Sequence, residues 1–560
     1  MDNGRKLRVG FILDDGDQSN AAYELFQKSR QSELYSIVLL IVQRPPKGPR
    51  RNAIQRALGY VQKRGIAKTL AKIGFTILAR AERILFARKA RYAPYFKRYS
   101  LDQFGADKLF VEPRASKSGF VYRYSDADLE EIRKRDLDVL IRGGSGILRG
   151  EILRVARFGI VSFHHANNRV NRGSPPGFWE VYHGEPSTGF IIQQLSEELD
   201  GGDVLFRGAI ATSPTYVVNA ARLYLKANLF MHALLEQIAR RGALPACECK
   251  QPYAYPLYTT PDIGAQVNYL FKTSARMGAK LWRKLRGHTH RWGVAYQFAR
   301  DWRDAVLWRS KVIRNPPRKF LADPFVITRN GRNVIFVEEY DIPSGRGYIS
   351  AYEVDKNGAT ALGIALQEPF HLSFPFLLEK DGELYMCPDT HEAKDIRLYR
   401  CVEFPLKWQL HRVLMTDVSA ADTMVFEHDA KWWMLTNIDS AAIGDHGAEL
   451  HAFCAETFDS AAWRPHELNP IILDSTRARN GGLLRWEAGL YRVFQVQGFD
   501  AYGASMGIAE IKTLDMERFR EEQICTIEPR FMPRLAGAHT YSHHGGVLAL
   551  DFVKFEGAAH

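Results

Sequence analysis

Residues 159–164 read Gly-Ile-Val-Ser-Phe-His, and residues 199–202 read Leu-Asp-Gly-Gly. The first string is an apolar run that ends on a polar side chain. It has the length and composition of a buried strand, and it delivers His164 at the strand's carboxyl end. In open α/β sheets that edge is where ligands bind. Between the two strings lie Arg172-Gly173 and then His183-Gly184-Glu185-Pro186-Ser187-Thr188-Gly189.

Working outward, the chain alternates strand and helix patterns. Lys6–Leu13 and Leu34–Val42 are apolar strand runs with a helical stretch, Asn20–Gln31, between them. Short strands are expected at Phe120–Arg123, Asp138–Ile141 and Gly159–Phe163. Helices are expected at Leu129–Lys134, capped by Ser125, and at Gly150–Arg157. Strands at Thr188–Leu195 and Gly202–Ile210 precede a long helix, Thr212–Ala239. This β-α-β rhythm predicts a parallel sheet. Asp14-Asp15-Gly16 follows the first strand, and no G-x-G-x-x-G accompanies it, so a dinucleotide is not implied.

Ser162-Phe163-His164, Arg172-Gly173, Gly184-Glu185, Gly189 and Leu199-Asp200-Gly201-Gly202 stand in the order and spacing of the catalytic half of the folate-dependent formyltransferases, which this region resembles over residues ~5–240. The family's Asn-x-His is Ser162-x-His164 here. The resemblance implies an α/β Rossmann-like formyltransferase fold and 10-formyltetrahydrofolate as donor. It implies catalytic roles for His164, Asp200 and Ser162. Formyl transfer to an amine is acyl transfer, which needs a donor for the developing oxyanion, a proton shuttle and a carboxylate that sets the shuttle's charge. By the same resemblance the pterin lies against Gly144, Gly146, Ile147, Leu148, Leu199 and Gly201, and Arg172 and His165 face the substrate. The family's Pro-Ser-Leu-Leu-Pro is replaced by His165-Ala166-Asn167-Asn168-Arg169. The remodelled acceptor side favours a small amine, above all an amino sugar, over a transfer RNA. Trp179 is read as a core residue, with stacking on a sugar as the alternative.

A chain of 560 residues is too long for a single core. The formyltransferase-like domain is assigned to 1–240, with a basic helical insertion at 44–99. A linker covers 241–300, containing a helix at Thr273–Leu285. That insertion holds sixteen Lys or Arg and one acid, while the whole chain carries +13, so the remainder is about neutral. The insertion reads first as a solvated helix packed on its own domain. An anionic membrane surface is the alternative, and nucleic acid ranks last. No secretory leader and no membrane-spanning run is expected, which points to a cytoplasmic protein, peripheral at the inner membrane face if the insertion meets lipid. Six scattered cysteines give neither a disulfide framework nor a zinc site, and no metal is called.

Beyond residue 300 the pattern becomes all-β. Hairpin tips recur at Phe325–Gly331, Phe376–Gly382, Val425–Ala430, Leu483–Gly489 and Tyr541–Gly545. That period predicts a five-bladed propeller over 301–560. Residues Phe320–Phe325, Pro369–Phe376, Leu398–Trp408 and Asp422–Trp433 resemble the N-terminal domain of plant glucosamine inositolphosphorylceramide transferases. Ala322-Asp323-Pro324 and Ala421-Asp422-Thr423 resemble the acids of glycosidase-like propellers. Glu338-Glu339, Asp389, His539-Thr540 and Asp551 are further polar candidates. The stretch Arg477–Gly482 carries no carboxylate where a glycosidase's acid is needed. Arg479 is instead expected beside Asp323, binding an anion or sugar hydroxyls. Asp323, Asp422 and Arg479 are thus read as a glycan- or glycolipid-binding set. A purely structural module and a glycan-processing enzyme are the alternatives.

Overall fold

The computed structural model describes residues 5–44, 61, 65–117, 119–171, 173–198, 201–285 and 289–556. The chain divides into two compact units, Met1–Ser274 and Ala275–His560.

The first unit is built on a seven-stranded sheet. Its strands are β1 (Leu7–Asp14), β2 (Tyr35–Gln43), β3 (Asp107–Val111), β4 (Val139–Arg142), β5 (Ile160–His164), β6 (Ser187–Gln194) and β7 (Asp203–Ala211). They lie in the order β7-β6-β5-β4-β1-β2-β3. The five strands β3, β2, β1, β4 and β5 are mutually parallel, and β6 and β7 add antiparallel at one edge. The helices are α1 (Asn20–Gln31), α2 (Ile66–Phe86), α3 (Asp126–Arg133), α4 (Phe178–His183), α5 (Tyr216–Arg241) and α6 (Ile263–Leu285). The parallel strands are almost wholly buried because helices cover them, which is why they read as continuous apolar runs rather than alternating ones. Ser19 caps α1 and Ser125 caps α3 through their hydroxyls.

Two expectations shift. Gly150–Arg157 forms only a single 3-10 turn, Glu151–Arg154, since Gly150 takes φ 85° and the chain turns at Gly159, φ 68°, straight into β5. Helix α6 starts ten residues before the expected Thr273, at Ile263. Asp262 Oδ1 accepts from Ala265 N at 2.7 Å there, a capping bond that a basic-residue count does not register. Of the basic insertion, residues 45–60 and 62–64 lie outside the described residues, and α2 is its helix within them.

The second unit is all-β and holds five antiparallel sheets. Four are meanders of sequential strands. The fifth joins the two ends of the unit by pairing Thr289–Phe298 with Val547–Glu556 along their whole length. The first strands of the meanders are β8 (Lys319–Arg329), β9 (Ser373–Lys380), β10 (Ala420–His428) and β11 (Asn480–Trp486). The equivalent strand of the fifth sheet is β12 (Tyr541–His544). Strand β8 touches β9, β9 touches β10, β10 touches β11, β11 touches β12, and β12 returns to β8. A cavity of about 520 Å3 is lined by all five.

The hairpin tips show why the sequence repeats. Asn330-Gly331, Asp381-Gly382, Asp429-Ala430 and Gly545-Gly546 each hold two successive residues at positive φ. That is the conformation whose twist matches the flanking strands, and it explains the Gly and Asx content of the tips. Ala430, at φ 58°, is the misfit. Ala430→Gly relieves it and is expected to stabilise the chain by about 0.5–1 kcal/mol. Urea unfolding reads this out; an unchanged or lowered midpoint contradicts the turn assignment.

Candidate functional site

In the first unit the chemistry gathers at the carboxyl ends of β1, β4 and β5. Asp14, the last residue of β1, accepts hydrogen bonds from the backbone N and the hydroxyl of Ser145, at 2.9–3.1 Å. Gln43, fully buried at the end of β2, donates to Asp14 and to the Ser145 carbonyl, both at 3.2 Å, and accepts from the Tyr124 hydroxyl. Arg142 donates to the Gly146 carbonyl. The loop 143–146 is therefore clamped from three sides. Side chains are excluded at its first two positions, since a Cβ on Gly143 would meet the Phe11 ring at 2.6 Å and one on Gly144 would meet the Gln43 amide at 2.6 Å.

Beside this loop, β5 carries Ser162 and His164. Ser162 is 1% exposed and its hydroxyl donates to the Phe163 carbonyl at 3.2 Å. His164 is half-buried at the strand end, opposite Ile191 of β6. The next residue, His165, stacks on Tyr224 of α5 at 3.8 Å. Burial and the neighbouring His164 push its imidazole down to about 3, so it is a neutral ring at any physiological pH. Phe11, Gly143, Gly144, Phe163, His165 and Tyr224 line a cavity of about 240 Å3.

The stretch after the histidines is fixed from below. Arg207 of β7 holds both Asn167 and Asn168 and pairs with Glu248, which also takes Arg169. Gly189 is required here because a Cβ would stand 2.6 Å from the Asn167 Cβ. Gly173 is required because a Cβ would stand less than 2 Å from the Tyr258 carbonyl. Trp179 stacks on Tyr258 at 4.7 Å and donates to the Thr259 carbonyl, which gives it a structural role in anchoring that segment.

Of the positions expected to hold a one-carbon donor, Gly144 lines the cavity. Ile147 and Leu148 belong to a small three-stranded sheet in which Ile147 N donates to the Phe120 carbonyl, Gly146 precedes that strand, and none of the three lines the cavity. Gly201 closes a turn onto the Glu198 carbonyl. Leu199, Asp200 and Arg172 lie outside the described residues.

Sequence reading missed Glu180. It is 3% exposed in α4 and meets Asn171 Nδ2 at 3.4 Å, and burial pushes its carboxyl up to about 7. No motif marks it, because a lone Glu in a short helix looks like a solvated residue.

In the second unit the polar candidates converge where β8, β9, β10 and β11 each carry a bulge. Asp323, Phe374 and Asp422 sit at those bulges with φ 46–49°, and Gly482 at φ 141°. A bulge re-aims the side chain that carries it. Asp323 accepts from Phe374 N at 3.2 Å and from the Thr540 hydroxyl at 2.8 Å. Asp551 accepts from the backbone N of Asp323, His539 and Thr540, and its second contact with His539 is a 2.6 Å ion pair to Nδ1. His539 Nε2 points at Asp323, 3.7 Å away. Burial raises the Asp323 carboxyl to about 6, and the two carboxylates hold the His539 imidazole above its ordinary value. The ligand atoms of this trio lie within 4.8 Å of one another, yet they are spent on one another and on backbone N–H groups. The trio is a hydrogen-bonded line rather than a vacant cage.

Arg479 pairs with Asp422, Nε to Oδ2 at 2.6 Å, and not with Asp323 as the sequence suggested. Asp323 is already claimed by the last sheet, so the guanidinium turns to the bulge acid of its neighbouring strand. Gln495 donates to the same Asp422 oxygen at 3.0 Å. Glu338 is buried close to Asp323, Asp389, Asp422 and Asp551, which raises it far above the carboxylate range and keeps it neutral. Asp389 is held charged by His391, which bonds it through both N and Nδ1. Around these buried acids stand half-buried or exposed rings: Trp292 stacked on His539 at 3.9 Å, Tyr502, His371, His391 and His446. Trp292 and His446 carry no motif in the sequence; His371 lies within the Pro369–Phe376 stretch and His391 two residues past Asp389, but sequence reading singles out neither.

Comparison with known proteins follows the same division. The family model for the N-terminal part of glucosamine inositolphosphorylceramide transferase 1 matches residues 305–551. The Arabidopsis thaliana protein of that name is 34% identical over 247 residues, 43% of this chain and 32% of its own length. The chain thus spans about a third of the plant relatives it matches. Over the N-terminal half, the methionyl-tRNA formyltransferase of Clostridioides difficile is 24% identical over 229 residues, 39% of this chain and 70% of that protein. Among solved structures, glycinamide ribonucleotide transformylase 1 from Symbiobacterium toebii aligns at 13% identity and TM-score 0.28, covering 43% of this chain and 93% of that one. A family 117 glycoside hydrolase, Zg3597 of Zobellia galactanivorans, aligns at 11% identity and TM-score 0.32, covering 47% and 90%.

Two measurements check the electrostatics. Arg479→Met leaves Asp422 buried without its cation and is expected to cost about 3–5 kcal/mol, of which Arg479→Met/Asp422→Leu recovers a large part. A loss below 1 kcal/mol in urea unfolding contradicts the pairing. For Glu180 the folded state binds the proton more tightly than the unfolded chain, whose value is 4.5. Its stability contribution is therefore full below pH 4.5 and is lost as pH rises towards about 7. Glu180→Gln removes this loss and is expected to be more stable than the parent at pH 8 by about 3 kcal/mol. Equal stability at pH 8 contradicts a buried acid.

Proposed function

We propose that the first unit transfers a formyl group from 10-formyltetrahydrofolate to the amine of an amino sugar or a similar small acceptor. The observation that carries the reading is the placement of His164 at the carboxyl end of β5, beside a clamped glycine loop; its neighbours Phe163 and His165, rather than His164 itself, line the cavity of about 240 Å3. The motif residues Arg172, Gly184, Glu185, Gly189, Asp200 and Gly201 follow in family order, and relatives named as formyltransferases align over the same half. The donor supplies the one-carbon group. The acceptor nitrogen attacks the formyl carbon, the bond to the folate nitrogen breaks, and one proton passes from the amine to that nitrogen. In this reading His164 carries the proton or stabilises the oxyanion, and Asp200 sets its charge. His165 is a neutral wall. The acceptor is taken to be small because the cavity is small and the loop 165–169 is pinned by Arg207.

For the second unit we propose a five-bladed propeller whose polar end binds a glycan or glycolipid. The closed cycle of first strands and the cavity lined by all five support the architecture. Buried acids, one guanidinium and partly exposed aromatic rings are the groups that recognise sugar hydroxyls and faces. The plant relatives' name contains glucosamine, an amino sugar, and a ceramide lipid. One observation favours a second reading, a glycan-binding protein whose first unit has lost catalysis. Ser162 stands where the family has Asn, and its hydroxyl is turned to the Phe163 carbonyl.

Full-length protein incubated with 10-formyltetrahydrofolate and a panel of amino-sugar nucleotides is expected to release tetrahydrofolate, with His164→Ala slower by at least about 10²-fold. No release above the His164→Ala background, together with activity appearing in Ser162→Asn, selects the second reading.

A further inference from the structure

We propose that α2 and the start of α6 form one docking face for an anionic lipid bilayer. The inference is independent of the catalytic reading. Helix α2 buries the side formed by Ala71, Leu78 and Glu82 and leaves Ile66, Leu70, Ile73, Ile77 and Ile84 between 49% and 66% exposed. Those exposed positions recur at helical spacing and form one stripe on the side away from the core. This is the reverse of an ordinary surface helix, in which the apolar stripe is the buried one.

A second stripe lies beside it. Helix α6 crosses α2 where Gln266 donates to the Ala71 carbonyl at 2.7 Å and packs against Gly74, which has no side chain to keep the helices apart. Tyr269, one turn on, donates to Glu82, whose other oxygen accepts from Val217 N at the start of α5. Gln266, Tyr269 and Thr273 are the buried side of α6, and Ile263, Val267, Leu270 and Phe271 are its exposed side. The two helices meet at this crossing, and each turns an apolar stripe outward from its buried side. Exposed large apolar side chains gathered in stripes on two helices that meet mark an interaction site.

Charge decides the partner. From residue 65 to residue 99 there are nine Lys or Arg and one acid. That acid is Glu82, which is 5% exposed and used inward, so the outer surface of this segment is cationic. Lys68, Lys72 and Arg80 are exposed on α2 itself. Isoleucine, leucine and phenylalanine rimmed by flexible cations match an interface in which apolar side chains enter the acyl boundary and cations meet lipid phosphates. No helix among the described residues is long and apolar enough to cross a membrane, so the contact is a lateral one.

The test is sedimentation of the full-length protein with vesicles of phosphatidylcholine, with and without phosphatidylglycerol. Binding is expected with the anionic vesicles, falling roughly ten-fold or more as salt rises from 50 to 500 mM. Lys72→Gln/Arg80→Gln is expected to weaken it roughly thirty-fold. Ile73→Ser/Ile77→Ser, at positions 49% and 62% exposed, is expected to weaken it about ten-fold or more with little change in unfolding. No binding, or equal binding to both vesicle types, overturns the proposal. So does self-association that the Ile73→Ser/Ile77→Ser variant abolishes without vesicles present, which would make a second copy the occupant. A gel shift with RNA that survives the apolar substitutions would assign the face to nucleic acid instead.

Discussion

The carboxylate of Asp14 is the constraint on which the first unit's site depends. It ends β1 and receives three hydrogen bonds from Ser145, so the loop that leaves β4 cannot move away from the sheet. Gln43 and Tyr124 in turn hold Asp14 and the Ser145 carbonyl from β2 and from the approach to α3. A glycine loop has little stiffness of its own, and its entropy would blur any ligand contact. Three strands meeting on one side chain turn it into a fixed wall beside the end of β5, where His164 and His165 stand. The same economy appears at the other wall, where Arg207 and Glu248 pin Asn167, Asn168 and Arg169.

The second unit solves a different problem. Five sheets place several acids within reach of one another, and like charges in a poorly solvated space repel. The structure separates their roles. Asp422 is neutralised by Arg479, Asp389 by His391, and Asp551 and Asp323 share His539. Glu338, with His371 3.5 Å away as its nearest cation candidate, takes up a proton instead. Positive φ at Asp323 and Asp422 costs about 1–2 kcal/mol each, and it persists because the bulge aims each carboxylate at its partner in an adjoining sheet.

Much of this was legible in the chain. Buried parallel strands announce themselves as unbroken apolar runs, and β1, β2, β5 and α1 fall within a residue or so of their expected limits. The hairpin tips were legible because type I′ geometry demands Asn-Gly or Asp-Gly, which few other contexts require. The placement of His164 at the carboxyl end of β5 was legible from the apolar run that precedes it. What was not legible is everything that depends on long-range pairing. Asp14 has no local mark, since its partner is 131 residues away. Arg479 was given the wrong acid because spacing cannot say which sheet lies next to which at the bulges. Glu180 and the ring of histidines in the second unit depend on burial, which a polar residue in a short element does not advertise. The insertion reads first as a solvated helix packed on its own domain, and the outward direction of the apolar stripe of α2 was not legible, because periodicity reports a stripe without reporting which way it points.

The central claim is that the clamped loop and β5 form a site for a folate-type one-carbon donor. Isothermal titration of the full-length chain with 5-formyltetrahydrofolate, an analogue that does not transfer its formyl group in this way, tests it most directly. The account predicts saturable binding at one site, weakened at least about ten-fold in Asp14→Ala, while the far-ultraviolet circular dichroism and unfolding of the second unit are kept. Absence of binding to the parent chain, or binding that Asp14→Ala leaves untouched, contradicts it.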